Sequence, residues 1–214
     1  GSEMCIRDSS WTNYGTLGGA DGYLTVKYAA DGENFDVTIA GDAPGGSGPK
    51  NIPWTIPDEI GTDNKIQIID ANAVPADTAT SDYFEIKGNL ELVNPTNGKV
   101  EYVNASDIDI QWKYAGTLSG NLNLYYSDQG GGMWQQINST PVAYNNGEAD
   151  NLCHYAWDTF PQQIDTDYQV KLEYITDNTV EDTGTNFEIR GVITLSYPGK
   201  NPGSPETWYV DSGT

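Results

Sequence analysis

A thiol and an imidazole stand side by side at Cys153 and His154, a pairing that could supply a nucleophile or part of a metal shell. Zinc wants four ligands, yet the chain holds one histidine and two cysteines, Cys5 being remote in sequence. A Ser-His-Asp arrangement would rest on His154 alone. Two acids about 5–10 Å apart across a groove would suit glycoside hydrolysis, and 31 Asp and Glu residues leave many pairs open. The run Gly45-Gly46-Ser47-Gly48 precedes Pro49-Lys50-Asn51, with neither a Walker pattern nor a helix to cradle phosphate. The expectation is a protein without a catalytic role.

Binding chemistry has better candidates. Asp70, Asp77 and Asp82 recur in outline as Asp177, Glu181 and Asp182. Calcium takes six to eight oxygens, largely from carboxylates and carbonyls, so these loops would suit calcium or another divalent ion. The competing reading is that the acids end strands and accept turn hydrogen bonds. Trp134, Tyr125 and Tyr126 form the second candidate set, since exposed aromatic rings can stack on the apolar face of a pyranose.

The elements that must position these residues come in two copies. Phe84-Glu85-Ile86-Lys87-Gly88 returns 103 positions later as Phe187-Glu188-Ile189-Arg190-Gly191. Trp54-Thr55-Ile56-Pro57 likewise answers Trp157-Asp158-Thr159-Phe160-Pro161, and Trp11 answers Trp112. A fixed spacing of this kind marks a tandem array. It divides the chain into a first module at 1–88 that lacks its opening segment, a complete module at 89–191, and the opening strand of a third at 192–214. The chain therefore reads as a slice of a longer protein. Residues 1–2 and 4–9 fit the repeat poorly and look like a cloning or assembly remnant; alternatively 4–10 serve as a makeshift opening strand. Neither Cys153 nor His154 has a counterpart in the first copy, so a Cys5–Cys153 bridge is no requirement of the module.

Period-two alternation with β-branched and aromatic residues marks strands at Tyr23–Tyr28, Lys65–Ile69, Ile108–Trp112, Leu122–Tyr126 and Gln169–Tyr174. Clusters of Gly, Pro, Asn and Asp at 41–49, 95–98 and 128–132 read as turns and loops. The expected fold is all-β: tandem immunoglobulin/fibronectin-III-like β-sandwiches, with Trp54, Trp157, Phe84 and Phe187 as core. Ten Lys and Arg against 31 Asp and Glu give a net charge of −21. Phosphate contact needs a basic face, so nucleic acid is excluded as a partner. No apolar run is long enough to span a bilayer, so membrane insertion is not expected, and the acidity suits a salty exterior.

The order of landmarks in the second copy runs from an opening apolar-Pro-Gly segment at 90–98 through Trp112, Trp134, Trp157 to Pro161 and Asp167-Tyr168 to Phe187-Glu188-Ile189. That order resembles the Ig-like tandem repeats of large bacterial and archaeal surface proteins, and is similar to the domain of the yeast Ser-Thr-rich, GPI-anchored wall-protein family. The resemblance implies a non-catalytic, extracellular or cell-surface module with a structural or adhesive role and no active-site residues. Its alternative is a carbohydrate-binding module using Trp134, Tyr125 and Tyr126. The partners expected are neighbouring copies of the module and cell-surface glycans or proteins. Modules joined without a spacer should form a semi-rigid rod. Strand exchange between chains is a further expectation, because the first copy lacks an opening strand while 192–208 supplies one with no body.

Overall fold

The computed structural model describes residues 6–15, 17–19, 22–73, 75–146 and 152–195, with side chains from Ser9 onward. It divides into two compact units, 1–90 with 114–120, and 91–113 with 121–214. All regular structure among the described residues is β.

In the first unit, β1 (Ile6–Asn13) pairs antiparallel with β4 (Gly48–Thr55) in a two-stranded sheet. The facing sheet holds β2 (Tyr23–Ala29), β3 (Val37–Pro44), β5 (Gly61–Asp70), β6 (Asp77–Thr80) and β7 (Phe84–Ile86), in the order β3-β2-β5-β6 with β7 also on β5. Strand β2 turns Leu24, Val26 and Tyr28 inward, as period two dictates. Leu24, Val26, Ala43 and Ile52 form the centre of this core, with Trp11, Leu17 and Ile68 packed against it. At the other end the Tyr28 ring on one sheet lies 5.1 Å from that of Trp54 on the other, which meets Phe84 edge-on at 6.2 Å. Within the same unit Asp58 accepts hydrogen bonds from Thr117 N and Oγ1, at 2.8 and 2.6 Å. These bonds lower its pKa.

The second unit repeats the plan. A three-stranded sheet runs β14-β10-β8, from β8 (Asn89–Asn94), β10 (Ile108–Ala115) and β14 (Cys153–Trp157). The facing sheet runs β12-β11-β15-β17-β9, from β9 (Val100–Tyr102), β11 (Asn121–Ser127), β12 (Gln135–Gln136), β15 (Asp165–Tyr174) and β17 (Phe187–Arg190). Short β13 (Val142–Ala143) and β16 (Glu181–Thr183) flank β11 and β15. Ile108, Ile110 and Trp112 from one sheet meet Leu122, Leu124, Val170, Leu172 and Ile189 from the other, all essentially inaccessible to solvent. Burying side chains of this size contributes about 1.5–3 kcal/mol each. The chain crosses between the sheets at the cis Asn94–Pro95 bond, so β8 serves one sheet while β9 runs parallel to β17 in the other. The arrangement is a β-sandwich of immunoglobulin-like kind.

Several expectations change on contact with the structure. Residues 41–49 are not a loop: β3 runs through Pro44 and β4 begins at Gly48. Alternating backbone pairing to β2 and β1 overrides the Gly-Pro composition, and only 45–47 turn. Residues 6–10 form no separate opening strand, because they continue unbroken into Trp11 on β1. Residues 192–195 carry no strand, and the rest of 192–214 lies outside the described residues, as does Cys5. Trp157 and Phe187 are buried, whereas their counterparts Trp54 and Phe84 are half-buried.

Candidate functional site

The three aromatics proposed as a platform divide between two faces. Tyr125 and Tyr126 are consecutive on β11, so they point to opposite sides of the sheet. Tyr126 faces inward, its ring 4.9 Å from that of Trp157. Its hydroxyl donates to Gln135 Oε1 at 3.0 Å, and burial raises its pKa, helped by Asp128. It is a packing residue. Tyr125 lies on the outer face directly opposite Lys171 of β15, and Trp134, just before β12, joins them. The Lys171 ammonium stands 5.0 Å from the Tyr125 ring centre and 5.5 Å from that of Trp134, a cation–π arrangement.

Lys171 is tightly held. It donates to Glu173 at 2.8 Å and lies 3.5 Å from Glu181. Burial by itself would lower its pKa, but the two carboxylates outweigh that and the pKa is raised. Asn123 Nδ2 donates to the Tyr125 hydroxyl at 3.3 Å, and Gln136 Nε2 to Asn123 Oδ1 at 3.2 Å. The outer face of β11, β12 and β15 is thus a patch of two half-buried rings around one paired cation, edged by amide groups. Chemically it can stack and hydrogen-bond a polar ligand. The lysine, however, takes up part of the ring faces that a sugar would need.

The acidic candidates are spread among separate tasks. Asp70, buried at the end of β5, accepts from Gly18 N at 2.8 Å and Asn72 N at 3.0 Å. Asp77 sits opposite it in the β5–β6 register, while Asp82 is exposed. Asp177 accepts from Thr179 N and Oγ1, at 3.0 and 2.7 Å, in a turn. Glu181 faces Lys171, and Asp182 accepts from Leu92 N at 2.7 Å, holding β8 against β16. Among the described residues no three His, Cys, Asp or Glu side chains come together. Cys153 and His154 also alternate: the thiol is buried and donates to Tyr144 O at 3.2 Å, whereas the imidazole is exposed, with Nδ1 3.2 Å from Asp109.

Sequence reasoning passed over two side chains that the geometry puts forward. Tyr168, fully buried at the start of β15, donates its hydroxyl to Gln163 O at 3.1 Å. A tyrosine there bonding to backbone just upstream is the corner device of immunoglobulin-type sandwiches. Burial above all, with Asp128, Asp165 and Tyr126 adding, pushes its pKa up to about 12. The first unit has buried Asn64 at the matching place, beside the same register shift between paired strands. Asn64 donates to Gly61 O at 2.7 Å and accepts from the Tyr28 hydroxyl. The motif Asp-x-Asp-Tyr at 165–168 carried the signal for Tyr168; nothing local marks Asn64.

No family model and no curated protein matches this chain. Among solved structures it is similar to a marsupial T cell receptor, at 10% identity and a TM-score of 0.31, over 89% of this chain and 75% of that one. The sandwich assignment stands on the sheets and cores described above.

Proposed function

We propose that the chain is a non-catalytic extracellular module, structural or adhesive, from a repetitive cell-surface protein. What supports this is where the repeat places its residues. Trp54 and Trp157, Phe84 and Phe187 are spent on packing in both units, so the 103-residue period specifies a fold rather than a reactive centre. The net charge of −21 fits a medium rich in salt, which screens self-repulsion.

A second reading, a carbohydrate-binding module, is favoured by the outer patch of Tyr125 and Trp134, with Tyr126 removed from it. A glycan array separates the two. A structural module retains no glycan, whereas a glycan retained by the chain and lost in both Trp134→Ala and Tyr125→Ala would replace the first reading with the second. Stacking one ring is worth about 0.5–1.5 kcal/mol, so each loss would weaken binding by up to about tenfold.

A further inference from the structure

Asparagine followed two places later by serine or threonine, with no proline between, is the acceptor pattern for an N-linked glycan. The chain carries it at Asn104-Ala105-Ser106 and at Asn138-Ser139-Thr140, while Asn94-Pro95-Thr96 is blocked by its proline. Burial separates the first two. Asn138 is 1% exposed, and its amide is engaged inside the second unit: Oδ1 accepts from Leu124 N at 2.7 Å, and Nδ2 donates to Leu122 O and Thr140 O, each at 3.1 Å. A sugar on that nitrogen would break bonds that hold β11 and leave buried carbonyls unpaired. The folded unit has no place for a glycan there.

Asn104 is placed quite differently. Strand β9 ends at Tyr102 and the chain turns at once: Ala105 N donates to Tyr102 O at 2.9 Å, closing a four-residue turn whose ends lie within about 7 Å of each other. Val103 N donates to Arg190 O at 3.0 Å and ties this turn to β17. Asn104 and Ser106 are both exposed. Tyr102, two residues before the acceptor and in the same turn, keeps 45% of its surface in water. A pyranose offers an apolar face of C–H groups to an aromatic ring, so a sugar on Asn104 has a stacking partner beside it.

We propose that Asn104 is the acceptor of an N-linked glycan whose first sugar packs on Tyr102, an inference that rests on the extracellular reading above. The co-reactant is an oligosaccharide joined through diphosphate to a polyprenyl lipid. The Asn104 amide nitrogen attacks the anomeric carbon: a C–N bond forms, the C–O bond to the diphosphate breaks, the lipid diphosphate leaves, and one amide proton passes to a base of the transferase. Nothing is oxidised or reduced. The position also gives the glycan a task. Among the described residues β9 is the last strand of its sheet, paired with β17 on one side only, and a bare edge invites pairing with another chain. A bulky, hydrated glycan at the end of β9 screens that edge.

The test is to direct the full chain out of a eukaryotic cell behind a cleavable signal and to read its intact mass and peptide map, in the secreted and membrane-enclosed fractions alike. One glycan is expected, at Asn104, lost in Asn104→Gln, with Asn138 unmodified in the folded protein. In thermal unfolding the glycosylated chain should exceed Asn104→Gln by about 2–4 °C, and that gap should close when Tyr102→Ala is made in both. A bare Asn104 would overturn the proposal. So would a glycan on Asn138 of the folded chain, or a gap indifferent to Tyr102. Because the signal imposes export, a bare Asn104 leaves the extracellular reading standing; that reading falls separately if the native chain is found confined to the cell interior.

Discussion

Tyr168 shows how one buried hydroxyl ties the stability of a unit to pH. Its folded pKa of about 12 exceeds the ordinary tyrosine value of 10.0, so the protonated ring is favoured by folding. The stabilisation is whole below pH 10 and drains away as pH rises toward 12, on the order of 2 kcal/mol in total. Denaturation followed between pH 8 and 12 should therefore show a steep alkaline loss. Tyr168→Phe should start about 1 kcal/mol less stable, for want of its bond to Gln163 O, and lose less on the way up. Parallel curves for the two proteins would refute this account. Lys171, also raised, works in the same direction, its ion pairs with Glu173 and Glu181 failing as the ammonium deprotonates. At the acid end Asp31, held down to about 2 first by Asn34 N and then by Glu33 N, stabilises its turn above the ordinary carboxylate range. That support is lost as pH falls through 2.

Among the elements, β11 and β15 carry the core of the second unit, exchanging a register of six residue pairs from Leu122↔Tyr174 to Ser127↔Gln169. Leu124 and Leu172 face each other on it without solvent access. Leu124→Ala should cost about 2–5 kcal/mol in chemical denaturation, because a close-packed interior cannot collapse fully around the cavity; Tyr125→Ala, one residue along but on the outer face, should cost much less. Equal losses would mean that the outer patch is as structural as the core. These strands were legible from sequence because alternation and β-branching coincide in them. The strands β3 and β4 were not, since Gly41, Pro44, Gly48 and Pro49 mark turns by composition. There the long-range ladders β2–β3 and β1–β4 decide, and a local reading has no access to them. The same limit applies to the patch: Trp134 and Tyr125 were foreseeable as aromatics, but Lys171 between them depends on a cross-strand register.

For the molecule as a whole, charge is the dominant global term. With 10 basic and 31 acidic residues, self-repulsion opposes compactness until salt screens it. Raising NaCl from about 0.01 to 0.5 M should raise Tm by about 2–4 °C, the shift that about 1 kcal/mol produces in a chain of this size. A Tm that stays level would show that repulsion does not limit stability. The all-β class was the most legible property of the molecule, because alternating apolar and polar residues recur along the whole chain and no stretch carries a helical period.

Tyr168 in one unit and Asn64 in the other give the two cores different polar requirements. Neighbouring copies with interchangeable strands invite swapped assembly during folding, a known failure of repeat proteins. Asn64 bonds the Tyr28 hydroxyl and Gly61 O, and Tyr168 bonds Gln163 O. A β5 strand seated in the other unit would bury an amide without its partners, and a β15 strand would bring an aromatic ring to a place shaped for an amide. Buried polar atoms left unpaired are costly, so the difference between Asn64 and Tyr168 sets a free-energy cost against either unit taking up the other's strand.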